Sequence, residues 1–146
     1  MQMKAVVIRL TTDEDLPVLV QLDHVARVDD GRREVIKDAV CANLAWTIED
    51  SGNIVGYGVI SHGFFGRSFL ELVYIDVNKR SHGYGPRLIS FLEMQSRSED
   101  LFTSTNESNS HMQRVLDKLG YKRSGVIHNL DPDDPELVYV KKNVKG

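Results

Sequence analysis

Hydrophobic positions recur along the chain in two rhythms, every second residue or every three to four, and the changes of rhythm mark its elements. Val6, Val7 and Ile8 make residues 4–10 a predicted strand. Thr11 or Thr12 then offers a helix cap, with Glu14 and Asp15 in the first turn, where acidic side chains suit the positive end of the dipole. Leu16, Leu19, Val20, Leu22 and Val25 form that helix's stripe, and Asp29-Asp30-Gly31 is expected to break it. Val35, Ile36, Ala39 and Val40 predict a second helix over residues 32–43. The loop between the two helices holds Asp23, His24, Asp29, Asp30 and Arg32 and reads as a solvated polar segment.

Residues 45–49 read as a strand, Asp50-Ser51-Gly52-Asn53 as a turn, and residues 54–62 as the returning strand of a hairpin. Gly56 and Gly58 open one face of that strand, either to something lying close to the backbone or at a bulge. Gly63-Phe64-Phe65-Gly66-Arg67 is read as a loop whose aromatics line a pocket or pack a satellite core. Residues 69–77 follow, apolar on both faces as a central, covered strand would be. A helix from Pro86 carries Leu88, Phe91, Leu92 and Gln95, with Glu93 expected to pair with Arg97. After a strand at 101–105, Ser108 or Asn109 caps a helix that buries Met112, Val115, Leu116 and Leu119 and ends at Gly120. Residues 121–128 and 137–142 are the last strands, joined by an acidic turn-rich loop. The order β-α-α-β-β-β-α-β-α-β-β mixes hairpins with crossovers, so the expected fold class is α+β, in one domain over residues 1–146.

The stretch from Ile75 to Arg87 carries the chemistry. A strand, a loop with two glycines and a helix start would aim free backbone N–H groups and a positive dipole end at one point, which is an anion site. Gly83 and Gly85 lack a Cβ, so the chain can turn with positive φ and phosphates can lie against it. Arg80 and Arg87 bracket the loop with charge suited to phosphate oxygens, and His82 can face them with its ring or its amide. The dinucleotide fingerprint fails because Leu88 replaces its third glycine, and no Gly-Lys-Ser/Thr triplet is present. Arg80-x-x-Gly83-x-Gly85 resembles the acetyl-CoA loop of the GNAT superfamily of N-acetyltransferases. Asn109 followed by Leu119-Gly120-Tyr121 is similar to a second segment of that family.

The resemblance covers roughly the second half of the chain. It implies a central mixed, mostly antiparallel sheet flanked by helices, acetyl-CoA as cofactor and an amine acceptor. Its cofactor-binding residues would be Ile75, Asp76, Val77, Arg80, Ser81, His82, Gly83, Tyr84, Gly85, Pro86, Arg87 and Asn109. Asn109 would hydrogen-bond the pantetheine arm, cap a helix, or do both. Relatives are often dimers, so a homodimer is expected.

Composition narrows this reading. The chain has 146 residues, 41% hydrophobic, with a net charge of −3. That balance argues against nonspecific nucleic-acid binding. Cys41 is the only cysteine, so no internal disulfide forms, and a cytoplasmic setting is the simplest. On a helix face the cysteine reads as a packed small residue. No signal-like or membrane-spanning run is evident, and the five histidines show no metal-ligand spacing.

Acetyl transfer to an amine needs a proton acceptor, a polarised carbonyl and, for a thiolate whose free-thiol pKa is about 8.5, a proton donor. The resemblance places a tyrosine donor where Leu116 stands, and leucine donates nothing. Candidate hydroxyls are Tyr74, Tyr84, Ser104, Ser108 and Tyr139. Glu71 is the candidate base, or else half of a structural ion pair. A non-catalytic acyl-CoA-binding module is the alternative that Leu116 motivates.

Overall fold

The structure, a computed structural model, describes residues 5–146, so the predicted strand start at Lys4 lies outside the described residues. The elements follow the expected order: β1 (Val6–Leu10), α1 (Leu16–Leu22), α2 (Asp30–Cys41), β2 (Ala45–Asp50), β3 (Asn53–Phe64), β4 (Arg67–Ile75), α3 (Tyr84–Glu93), β5 (Leu101–Asn106), α4 (Ser110–Lys118), β6 (Lys122–Ile127) and β7 (Glu136–Lys141). The strands are hydrogen-bonded in the order β1-β2-β3-β4-β5-β7-β6. β4 and β5 pair in parallel, Ser68 opposite Leu101 to Leu70 opposite Thr103. The β1–β2, β2–β3, β5–β7 and β6–β7 pairs are antiparallel, giving the mixed, mostly antiparallel sheet.

By contacts the chain divides into two compact units, one running to Ile60 with Leu72–Phe91, the other Ser61–Glu71 with Leu92–Gly146. In the first, Leu19 and Ala26 meet Ile36, Ala39 and Val40 of α2, Ala45, Tyr57 and Val59 of the hairpin, and Tyr74 of β4. In the second, Leu101, Leu116, Leu137 and Tyr139 are each 1% exposed or less.

Several boundaries moved for local reasons. Asp29-Asp30-Gly31 starts a helix instead of breaking one. The Asp29 carboxylate accepts from the Gly31 and Arg32 N–H groups at 2.8 and 3.3 Å, satisfying donors the helix start leaves free. On α2, Ile36, Ala39 and Val40 are buried, while Val35 and Cys41 are exposed rather than packed. The loop expected at 63–67 shrinks to two residues, Phe65 and Gly66, with φ of 51° and 78°. Two positive φ values are the tight-hairpin geometry whose twist matches the strands, so β3 and β4 run on to meet it. Phe64 then joins Phe69 and Phe102, with ring centroids 4.6 and 5.4 Å away, whereas Phe65 is exposed. α3 begins two residues before Pro86 and ends at Glu93. The expected Glu93–Arg97 pair is replaced: the Glu93 carboxylate accepts from Tyr121 at 2.8 Å and from Lys141 at 3.2 Å.

Ahead of α1, a single 3-10 turn at Asp13–Asp15 is capped by Thr12, whose N–H and hydroxyl both donate to Asp15. Arg9 donates to both Asp15 oxygens at 2.7 and 3.0 Å. Chiefly through those bonds, the Asp15 carboxyl is lowered from 3.8 to about 2. A depressed carboxylate stabilises the fold above its unfolded pKa, and that contribution disappears as pH falls through the folded one. Asp15→Asn is therefore expected to flatten the loss of stability between about pH 4 and about pH 2, followed by urea unfolding at each pH. An acid limb identical to the wild type would remove Asp15 from the account.

Candidate active site

Past Ile75, the chain makes one 3-10 turn, Val77–Lys79. Asp76 holds it: its N–H donates to the Val55 carbonyl at 2.8 Å, and its carboxylate accepts from the Asn78 N–H at 3.0 Å. Ser81 and Gly83 then both take positive φ, 68° and 80°, and α3 begins. The first bond across its start runs from the Arg87 N–H to the Gly83 carbonyl, 3.3 Å. Among the described residues nothing accepts from the N–H groups of Ser81, His82, Gly83, Tyr84 or Gly85. A Cβ built on Gly83 would meet nothing within 4 Å, and one on Gly85 only Ile75 Cγ1 at 3.8 Å. The protein itself leaves that space open. Five unpaired amides at the positive end of a ten-residue helix suit the oxygens of a diphosphate.

Arg80 differs from expectation. Its Nε donates to the Ile75 carbonyl at 3.0 Å, and its guanidinium lies 5.2 Å from the Tyr74 ring centroid. It ties the loop to the strand end instead of standing free before it. Arg87 remains exposed. His82 Nδ1 lies 3.0 and 2.9 Å from the Lys79 and Arg80 carbonyls, and its ring stacks on Tyr84. The Tyr84 hydroxyl donates to Asp50, which raises its pKa.

Tyr74 is buried, and its hydroxyl bonds His24 Nδ1 while accepting the His24 N–H at 3.2 Å. Its ring lies 6.2 Å from that of Tyr57. Asp23, expected in a solvated loop, is fully buried. One carboxylate oxygen accepts from the Val25 and Ala26 N–H groups at 2.9 and 3.2 Å; the other accepts from the Tyr57 hydroxyl and from Arg32 Nε at 2.9 Å. Burial pushes the Asp23 carboxyl up, but Tyr57, Arg32 and the Ala26 N–H outweigh it and leave it lowered. Burial and the Asp23 carboxylate push the Tyr57 phenol up. The sequence signal for this cluster was an aspartate just after a helical stripe with a tyrosine inside an apolar strand, which by spacing alone does not announce a pair.

The remaining candidates lie in the second unit. Glu71 has much of its surface exposed on β4, yet the protein around its carboxyl withholds some water and raises its pKa. Among the described residues it has no ion-pair partner, so the structural pair considered for it is not formed. The Ser104 hydroxyl donates to Glu136 at 2.7 Å, and that of Ser108 to Asp134 at 2.6 Å. Asn109 caps α4, accepting from the Met112 N–H at 3.1 Å. Leu116 is core.

A loop of free amides at a helix start, set after a central strand in this sheet order, has the chemistry to receive an anion. Residues 14–121 match the acetyltransferase (GNAT) family, and the chain belongs to that family. It is similar to a GNAT-family acetyltransferase from Bacillus cereus ATCC 10987, at 33% identity over 97% of this chain and 99% of that one, with a TM-score of 0.86. Two more distant structures share the fold. The ribosomal-protein-alanine N-acetyltransferase of Brucella melitensis is 20% identical, covering 93% and 99% of the two chains, TM-score 0.75. A candidate streptothricin acetyltransferase from Bacillus anthracis str. Ames, solved in complex with acetyl coenzyme A, is 16% identical over 67% and 61%, TM-score 0.62. No curated protein matches the chain. The protein is thus an acetyltransferase.

Proposed function

We propose that this chain is an N-acetyltransferase that passes an acetyl group from acetyl-CoA directly to a primary amine, residues 1–146 acting as one domain. The observation that carries the reading is the run of five unpaired amides from Ser81 to Gly85. These amides, with Arg87, would hold the diphosphate. Ile75 ends the strand that leads to it, and Asp76 and Val77 open the turn that follows. The Asn109 side-chain oxygen is committed to its cap, so only its amide nitrogen remains to offer a ligand. Bound acetyl-CoA supplies an acetyl group already activated as a thioester.

The chain's own groups must manage the protons. Tyr74, a buried hydroxyl bonded to His24, is the donor this reading assigns, and Glu71, with its raised pKa, the acceptor. Ser104 is a weaker candidate because its hydroxyl already donates to Glu136. The reading carries a cytoplasmic setting with it, since a lone exposed cysteine needs no oxidising compartment. Among the described residues no helix is long and apolar enough to cross a membrane. A second copy of the chain is the partner the family resemblance implies.

The test is a thermal shift with coenzyme A. Wild type is expected to gain stability by mass action. Gly83→Val places a β-branched residue at a φ of 80° and is expected to lose that gain. Equal shifts in the two proteins would reject the loop as the binding site.

A further inference from the structure

We propose that His62 and Ser68 form an acid-sensitive latch on the turn at residues 95–100, closed while the His62 ring is neutral and released when it takes a proton. Both residues and the turn belong to the second unit. Ser68 is 1% exposed, and its hydroxyl oxygen accepts the Arg97 N–H at 2.8 Å. A backbone amide only donates, so the hydroxyl hydrogen is left for the other neighbour, His62 Nδ1, 2.7 Å away. Nδ1 is therefore the acceptor, and the hydrogen of the neutral ring sits on Nε2. A proton on Nδ1 would face the hydroxyl hydrogen. The hydroxyl would have to rotate, and among the described residues its oxygen has no third partner to turn to.

Ser68 fastens the turn at two points, because its own N–H also donates to Ser98 Oγ at 2.9 Å. Within the turn, Ser96 Oγ donates to the Ser98 carbonyl and Ser98 Oγ to the Asp100 carbonyl, each at 2.7 Å. The three hydroxyls thus have no spare hydrogen, and the Arg97 and Ser68 amides depend on them. The charged groups of β4 are Arg67 and Glu71, those of the turn Arg97, Glu99 and Asp100; β3 and β5 add none besides His62. Arg67 donates to the Phe65 carbonyl, and Asp100 accepts from Lys142. Loss of water around the half-buried ring, and then the Arg97 charge, disfavour the imidazolium and lower the His62 pKa. A histidine lowered in this way weakens its surroundings as pH drops. The open form takes its proton first, near the ordinary value of about 6.5, and closing must expel it. The latch holds fully above that pH and loses its grip below it.

The experiment is amide hydrogen exchange of the full chain, followed by NMR from about pH 7.5 to about pH 5.5, across the ordinary histidine pKa. His62→Asn sets a side-chain oxygen near the place of Nδ1, accepts from Ser68 and cannot titrate. Reading wild type against this variant at each pH cancels the intrinsic pH dependence of exchange. The Arg97 and Ser68 amides of wild type are expected to lose about tenfold in protection relative to the variant, the factor for one pH unit below the open-form pKa. Amides of β5 and β7 are expected to keep a constant ratio. Nitrogen-15 spectra of wild type are expected to show His62 Nδ1 without a hydrogen at the neutral end, a reading that needs no variant. Ser68→Ala is expected to leave the Arg97 amide weakly protected at every pH. A constant Arg97 ratio, a hydrogen on Nδ1 at neutral pH, or full Arg97 protection in Ser68→Ala would overturn the latch. An equal loss across β5 and β7 would overturn it too, as that is unfolding of the whole unit.

Discussion

Asp23→Ala is expected to lose about 3 kcal/mol of stability, because removing one member of a buried ion pair strands the other. The Asp23 side chain has no exposed surface and satisfies four donors. Alanine would leave the Tyr57 hydroxyl and the Arg32 guanidinium without their acceptor and free the two N–H groups that shape the turn after α1. Arg32 keeps 23% of its side chain in solvent, so water recovers part of its loss, which places the estimate at the low end for such changes. Asp23→Asn keeps one acceptor oxygen, enough for the two turn N–H groups, and sets its NH2 where the Tyr57 hydroxyl can turn to accept from it while Arg32 Nε loses its partner, so it is expected to cost about half as much. Once Asp23 is alanine, Arg32→Met is expected to cost little further, since the two effects share one interaction. Urea unfolding of the four proteins at one pH measures all of this. A loss for Asp23→Ala below about 1 kcal/mol would mean that the buried cluster is not what holds the two helices' junction in place.

Gly56→Ala is expected to cost about 2–3 kcal/mol, the upper range for forcing extra volume into a packed site. A Cβ there would lie 2.5 Å from the Tyr74 carbonyl oxygen and 2.6 Å from Ile75 Cδ1. The first neighbour is backbone and cannot swing aside. Relief requires the end of β4 to move, and that end carries the Tyr74 hydroxyl bonded to His24 and the Ile75 carbonyl bonded to Arg80. The variant should therefore weaken the coenzyme-dependent thermal shift as well as lowering the melting point. Gly63→Ala, on the same strand with nothing within 4 Å of its added carbon, is the control and should change neither. Equal behaviour of the two variants would mean that the close approach imposes no constraint.

The strand and helix order, and the glycine turn before α3, were legible because they rest on local signals: alternation, helical spacing, and glycines between a strand and a helix. Both readings offered for Gly56 hold together. The register slips between Ile48 and Glu49, leaving Val55 as the extra residue, and the neighbouring glycine admits the β4 backbone. Gly120 was legible in the same way, with its φ of 93°. What stayed hidden depends on partners far apart in the chain. Asp23 meets Tyr57 34 positions on, and His24 meets Tyr74 50 positions on. Polar residues in a loop give no sign of such closure until the sheet brings the partners in. The contacts of Arg80 stayed hidden for a related reason: charge and spacing suggest a phosphate ligand and give no sign of the Tyr74 ring and the Ile75 carbonyl beside the same guanidinium.

Cys41 has one more consequence. It is the sole thiol of the chain and it is exposed, five residues past the buried Ile36 and so turned off that face of the helix. A maleimide dye would couple there once, without mutagenesis and without touching Asp23, Tyr74 or the loop amides. Fluorescence from α2 would then report the environment of that helix while every group named above stays native.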